Sequence, residues 1–216
     1  MKVIIVAGGQ VENDATWQQW VRGADLVVGA DGGAAQALSW GLVPQVVIGD
    51  MDSLPAGTRA ELEKHQARFL QHPRAKDETD LELALRFAAE QGACEIIILG
   101  ALGGRLDHTL SNVLLLALPP LTGIPVRIAA GAQEAILLRG GESIRLQGQP
   151  GDLVSLLPWC GDAQGVTTEG LAWPLEDEIL RFGFSRGVSN EMTARQARVA
   201  LNHGYLLVVH GPPPAD

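Results

Sequence analysis

Cysteine is nearly absent from this chain: Cys94 and Cys160 stand alone among 216 residues. With no C-x-x-C pair, neither a thiolate zinc site nor a disulfide framework is expected. Basic clusters are missing as well. Acidic residues outnumber basic ones 25 to 16, and the formal net charge is −9. A chain of that sign with no Lys/Arg patch is ill suited to nucleic acid or to an anionic membrane surface. No apolar stretch reaches the ~18 residues of a membrane-spanning helix. The opening MKVIIVAGG holds an apolar run too short for a secretory signal, so the cytoplasm is the expected location. Signature motifs are also lacking: no G-x-x-x-x-G-K-[ST], no G-x-G-x-x-G behind the first apolar run and no G-x-S-x-G. Their absence excludes a P-loop enzyme, leaves a dinucleotide fold of the usual type unsupported and removes the hydrolase elbow.

What is present is a globular composition, 46% hydrophobic and 19% charged, on a chain long enough for one large or two small domains. Residues 1–131 alternate two patterns. Short apolar runs at 3–7, 26–29, 46–48, 96–99 and 126–130 read as strands. Helical patterns lie between them. Residues 58–65 open on a T-x-x-E capping box, Thr58 with Glu61, and residues 79–92 repeat it with Thr79 and Glu82 before stopping at Gly92. Residues 108–118 place Leu110, Val113, Leu114, Ala117 and Leu118 at helical spacing. Strands that are apolar throughout and separated by helices predict a parallel sheet covered on both faces. Residues 132–216 read differently. ESIRLQ, DLVSLLPW, ILRFGFS and GYLLVVH are β-like and set off by Gly and Pro, which predicts an all-β sandwich. TARQARVALNHG has helical composition in a β setting and is left open between the two, and the tail GPPPAD is expected to fray. The predicted fold is thus a parallel-sheet α/β domain, 1–131, followed by a β-sandwich domain, 132–216.

In a parallel α/β sheet, ligands bind beyond the carboxyl ends of the strands. Here those ends carry Gly8-Gly9-Gln10, Asp31-Gly32-Gly33, Gly49-Asp50-Met51-Asp52-Ser53 and the run GALGGRLDH, residues 100–108. Asp50 and Asp52 are two apart, so an extended backbone points both the same way. Paired carboxylates suit a hard cation such as Mg²⁺, which fills the rest of its shell with water and phosphate oxygens. An Asx-type turn or a helix cap would use the same residues. KDETD, residues 76–80, sets Asp80 at a helix N-terminus beside Lys76, where simple helix-dipole stabilisation is the competing reading. Gly100, Gly103 and Gly104 let the backbone approach a ligand, and Arg105 offers a fork suited to phosphate. Asp107 and His108 follow; the plain alternative is a tight turn with a surface arginine and polar caps.

Taken in order, DGGAAQAL, PQVVIGDMDS, KDETDLELAL and GALGGRLDHTLSN resemble the thiamine pyrophosphokinase family. GLAWPL, LRFGFSRGVSNE and the closing GYLLVVH are similar to the β-sandwich half of the same family. The resemblance implies a Mg²⁺-dependent enzyme that moves pyrophosphate from ATP to the hydroxyethyl group of thiamine, giving thiamine diphosphate and AMP. It implies a homodimer with sites at the subunit interface. By position it implies that Asp50, Asp52 and Asp80 bind the metal and, with Asp107, form the catalytic set. It assigns Asp31, Gly32, Lys76, Thr79, Gly103, Gly104, Arg105 and His108 to the nucleotide side, and Trp173, Ser189 and Asn190 to thiamine, with sandwich core as the alternative for the tryptophan. The competing functions are a related pyrophosphokinase acting on a pterin alcohol and a non-catalytic thiamine- or nucleotide-binding relative. The general base is not assigned.

Overall fold

The computed structural model describes residues 1–9 and 16–214, so Gln10 and the last two residues of the tail lie outside the described residues. The described chain divides into two compact units, Met1–Gly131 and Ala132–Asp216.

In the first unit, β1 (Lys2–Val6) pairs in parallel with β2 (Leu26–Ala30) on one side and with β5 (Glu95–Leu99) on the other. Beyond β2 come β3 (Val46–Gly49) and the edge strand β4 (Arg68–Gln71); beyond β5 comes β6 (Val126–Ala130). The order is therefore β4-β3-β2-β1-β5-β6. From β1 the chain works outward to β4, then returns to build on the opposite side. The border between β1 and β5 is thus the topological switch point, where open α/β sheets form their ligand crevice. Val3, Ile4, Ile5 and Val6 are all at 0% exposure, which requires cover on both faces and explains why these strands read as continuous apolar runs. Helices α1 (Trp17–Val21), α2 (Gly33–Ser39), α3 (Ala56–Lys64), α4 (Asp80–Glu90) and α5 (Leu106–Leu114) follow successive strands. The α4 helix buries Leu81, Ala84, Leu85 and Ala88, and its Thr79 hydroxyl accepts from the Glu82 amide at 3.2 Å, the expected cap. Gly92, at φ +77°, follows its end.

Several local expectations change. Thr58 does not cap α3. That helix begins at Ala56 after Pro55, whose fixed φ starts the turn two residues earlier, and Glu61 instead pairs with Lys64 at 2.8 Å. The β4 strand carries no Val or Ile and is half exposed, so it gave no apolar run to read. The α5 helix starts at Leu106, tightens into a 3₁₀ turn at Leu115–Ala117, and leaves Leu106, Leu110 and Leu114 more than half exposed.

The second unit is all β. The 17-residue β9 (Leu153–Glu169) is its spine. Its first part pairs with β13 (His203–Gly211), which in turn pairs with β7 (Gln133–Arg139). Its second part pairs with β10 (Glu178–Leu180) and with β12 (Gln196–Ala200), whose other neighbour is β8 (Ser143–Gln147). A short β11 (Asn190–Glu191) closes on the start of β9. Cys160, at φ +59°, and Gly161 interrupt β9 where its partners change, so one strand serves both layers of the sandwich. Leu146, Val154, Leu156, Val166, Val199 and Leu206 belong to the core between the layers. The ambiguous segment 193–204 holds no helix: its centre is β12, where Ala197 and Val199 are buried and Arg198 between them is half-exposed, period two rather than 3.6. Within ILRFGFS only the first residues are strand, and Phe182 and Phe184 stand exposed.

Candidate active site

The carboxyl ends of β1, β2, β3 and β5, with the start of α4, enclose a cavity of about 660 Å³, sized for a small molecule. Its floor is glycine. Gly9 donates its N–H to Gly100 O at 2.8 Å, and Ala7 donates to Leu99 O at 2.8 Å, so the β1–β5 ladder continues past the strands. A Cβ on Gly9 would collide with the carbonyls of Gly100 and Leu102, and one on Gly100 with the carbonyl of Ala7. Only glycine allows backbones this close. Gly103 and Gly104, at φ +86° and +72°, form the wall next to Arg105.

The acidic side is built by three segments. Asp31 is 8% exposed and holds φ +43°, an uncommon conformation for a residue with a side chain. Gly49 lets Asp31 and Asp80 close in: a Cβ there would lie 2.9 Å from Asp31 Cβ and 3.1 Å from Asp80 Cγ. Burial raises the pKa of Asp31, the neighbouring charges of Asp80 and Asp50 push the same way, and the Ser53 hydroxyl and Gly32 N–H partly oppose them. Asp31 Oδ1 is buried with no hydrogen-bond partner. Lys76 Nζ sits 2.7 Å from Asp80 Oδ1, a close, half-buried ion pair that balances the Asp80 charge. The buried Asp31 oxygen is an acceptor left for a cation or a donor, whereas the Asp80 oxygen has the Lys76 ammonium beside it.

Asp50 lines the cavity and accepts the Asp52 N–H at 2.9 Å, an Asx turn with Met51 at φ +67°. Asp52 itself lies outside the lining, 3.5 Å from Arg74 Nη1. Among the described residues no group of three His, Cys, Asp or Glu is close enough to hold a metal by itself. Arg105 lines the cavity but is held by Asp107 through two bonds, Nε to Oδ1 at 3.1 Å and Nη2 to Oδ2 at 2.6 Å. That pairing lowers the Asp107 pKa and raises that of Arg105. Asp107 also accepts the His108 N–H at 3.0 Å, while the His108 side chain lies on the cavity rim.

The remaining candidates lie together in the second unit. Buried Asn190 accepts the Trp173 N–H at 3.1 Å and the Glu191 N–H at 2.9 Å, and donates to Trp173 O at 2.7 Å. Trp173 is thereby held by its backbone while its ring is 61% exposed. Ser189, at φ +61°, donates its N–H to Ser155 Oγ at 3.0 Å. Sequence reasoning missed Ser53 and Arg74 in the cavity wall and Asn112, whose amide donates to Ala101 O at 2.7 Å. Asn112 follows the glycine run on α5 and was within reach of a reading that asked which polar residue faces back toward it.

A family profile described as thiamin pyrophosphokinase, catalytic domain, matches residues 17–128, and one described as thiamin pyrophosphokinase, vitamin B1 binding domain, matches residues 143–206. Thiamine pyrophosphokinase of Bacillus subtilis (strain 168) is 30% identical over 210 residues, 97% of this chain and 98% of its own length. Thiamine pyrophosphokinase 1 of Oryza sativa subsp. japonica is 26% identical over 165 residues, 72% of this chain but 62% of its own length. The crystal structure of thiamine pyrophosphokinase from Bacillus subtilis superposes with a TM-score of 0.88 at 28% identity, covering 99% of this chain and 100% of that one. The Geobacillus thermodenitrificans structure gives 0.85 at 28%, covering 100% and 99%.

Proposed function

Since the chain belongs to the thiamine pyrophosphokinase family, we propose that it transfers the β,γ-pyrophosphoryl group of ATP to the hydroxyethyl group of thiamine. The thiamine oxygen attacks the β-phosphorus, the bond to the α-phosphate oxygen breaks, and AMP leaves. The observation that carries this reading is the cavity at the switch point. It combines a glycine floor open to close approach by phosphates, the cations Lys76, Arg74 and Arg105, and the carboxylates Asp31, Asp50 and Asp80. Transfer between phosphates demands positioning and charge neutralisation more than covalent help.

Mg²⁺ is the proposed cofactor. The donors on offer are all oxygen, which suits a hard ion that takes one or two carboxylates and completes its shell with water and phosphate. Asp50, Asp52 and Asp80 are the proposed ligands; Asp52 would have to turn from Arg74 to join the other two. When bound, the ion would neutralise charge on the polyphosphate. Arg105, Gly103, Gly104, Thr79 and His108 would hold the nucleotide, with Asp107 setting the guanidinium of Arg105. Trp173, Ser189 and Asn190 would receive thiamine, the exposed ring stacking on the cationic heterocycle. We also place the enzyme in the cytoplasm and read it as a homodimer in which one chain's sandwich completes the other's site. Among the described residues no helix is long and apolar enough to cross a membrane.

Phosphorus NMR of a reaction containing ATP, thiamine and Mg²⁺ tests the chemistry. Thiamine diphosphate and AMP are expected; ADP with thiamine monophosphate overturns the reading. Activity restored by mixing an Asp52→Asn subunit with a Trp173→Ala/Ser189→Ala subunit tests the shared site, and no recovery in verified heterodimers overturns it.

A further inference from the structure

One polar side chain behind the cavity has a role that neither the resemblance nor the lining assigns. Gln36 lies on α2, outside the cavity wall. With its amide oriented to satisfy its surroundings, the nitrogen donates to Gly9 O at 2.8 Å and to Ala7 O at 3.2 Å. These carbonyls belong to the loop that leaves β1 and forms the cavity floor. The same loop is joined to the β5 loop by the Gly9 N–H to Gly100 O bond, and Ala7 O is the atom that a Cβ on Gly100 would strike. A single amide therefore ties α2 to the point where the two strand-end loops cross.

We propose that Gln36 is a positioning residue for the nucleotide side of the site. It acts through the backbone of Ala7 and Gly9, turning both carbonyls toward itself and so away from the anionic ligand. Carbonyl oxygens released into the cavity would face phosphate oxygens, acceptor against acceptor. A residue with no donor at position 36 frees them to do so. The inference rests on the nucleotide reading given above. Its expected signature is a change confined to ATP, because the two carbonyls it holds belong to the loop that forms the floor of the nucleotide cavity.

The test compares Gln36→Met, which keeps length and helix propensity but has no donor, with Gln36→Glu, which matches the glutamine in size and sets a carboxylate against the two carbonyls. Titration with ATP and steady-state kinetics are run on wild type and both variants, together with thermal unfolding of the ligand-free proteins. The expected order of ATP affinity is wild type, then Met at roughly a tenfold loss, then Glu lower still. The KM for thiamine and the unfolding temperature of Gln36→Met should stay near wild type. Unchanged ATP affinity in Gln36→Glu, or parallel rises in both KM values with a fall in unfolding temperature, overturns the positioning role. A wild type that binds no ATP overturns the nucleotide reading and this inference with it, whereas normal ATP binding by wild type and variants alike overturns the inference alone.

Discussion

The two candidate sites hold their polar groups in opposite ways. At the sheet edge of the first, Asp31 Oδ1 is buried without a hydrogen bond and crowded by the carboxylates of Asp80 and Asp50. In the second, the side chain of buried Asn190 makes three hydrogen bonds, to Trp173 N, Trp173 O and Glu191 N, and what it supports is an exposed tryptophan. One site is an unmet electrostatic demand on a rigid frame. The other is a satisfied frame that displays an apolar face. The first arrangement suits a ligand whose charge must be matched, and the second suits a ring recognised by area and stacking. Substitutions should therefore fail differently in the two units.

The largest effect is expected at Asp80. Replacing it with Asn removes charge where the ion and phosphates are proposed to sit, and kcat/KM should fall roughly 10²–10³-fold, while in the ligand-free protein the loss of the Lys76 ion pair and the relief of repulsion with Asp31 oppose each other, so unfolding moves far less than turnover. Near-normal turnover at low Mg²⁺ would break the contrast. Asn190→Ala comes next, and it should act mainly on stability. Losing the amide strands backbone groups beside Trp173, so chemical denaturation should show a loss of about 2–3 kcal/mol. If stability holds and only thiamine binding falls, Asn190 is a ligand contact rather than a bracket. Trp173→Ala should do the reverse: with its ring exposed, unfolding is unchanged, and the KM for thiamine rises by the equivalent of about 0.5–2 kcal/mol.

The smallest effect is a pH dependence at Asp31. Its folded-state pKa is raised above 3.8, chiefly by burial, so the folded protein holds that proton more tightly than the unfolded chain. The resulting stability is full below 3.8 and is lost as pH rises through the raised value, leaving the ionised carboxylate a burden at neutral pH. Asp31→Asn, measured in chelator, should therefore be more stable than wild type at neutral pH. The two curves should converge in acid. A constant offset across pH would assign the gain to something other than charge.

Much of this was legible in the sequence because it is local. Continuous Val/Ile runs mark strands buried on both faces, Thr79 and Glu82 fix the start of α4 within one turn, and strand-end glycines and carboxylates mark the ligand edge. What escaped depends on partners distant in sequence. Gln36 gains meaning only when α2 meets the crossing of the β1 and β5 loops, and Arg74 only when it reaches Asp52. The direction of Asp52 was misjudged for a related reason: Asp50 spends an oxygen on the turn, and Met51 leaves the extended conformation that the two-residue spacing assumes. The β12 strand carries a period-two signal at Ala197 and Val199, but its helix-forming composition obscured it until β8 and β9 enclosed it on both sides.

The long β9 has a consequence for how the molecule is made. Every strand of the first unit has been synthesised by residue 130, so its sheet can assemble while the ribosome is still working on the rest. The second unit has no such early option. Its strand β7 forms its long ladder with β13, Glu134 opposite His210, and the first part of β9 waits for the same partner. Until that late segment emerges, two nascent edges stay open, and closing them spans most of the unit in one step. A stall or truncation before residue 203 should thus leave a folded first unit attached to an adhesive, sheet-incomplete second one, and β9 and β13 should exchange their amide hydrogens together rather than strand by strand.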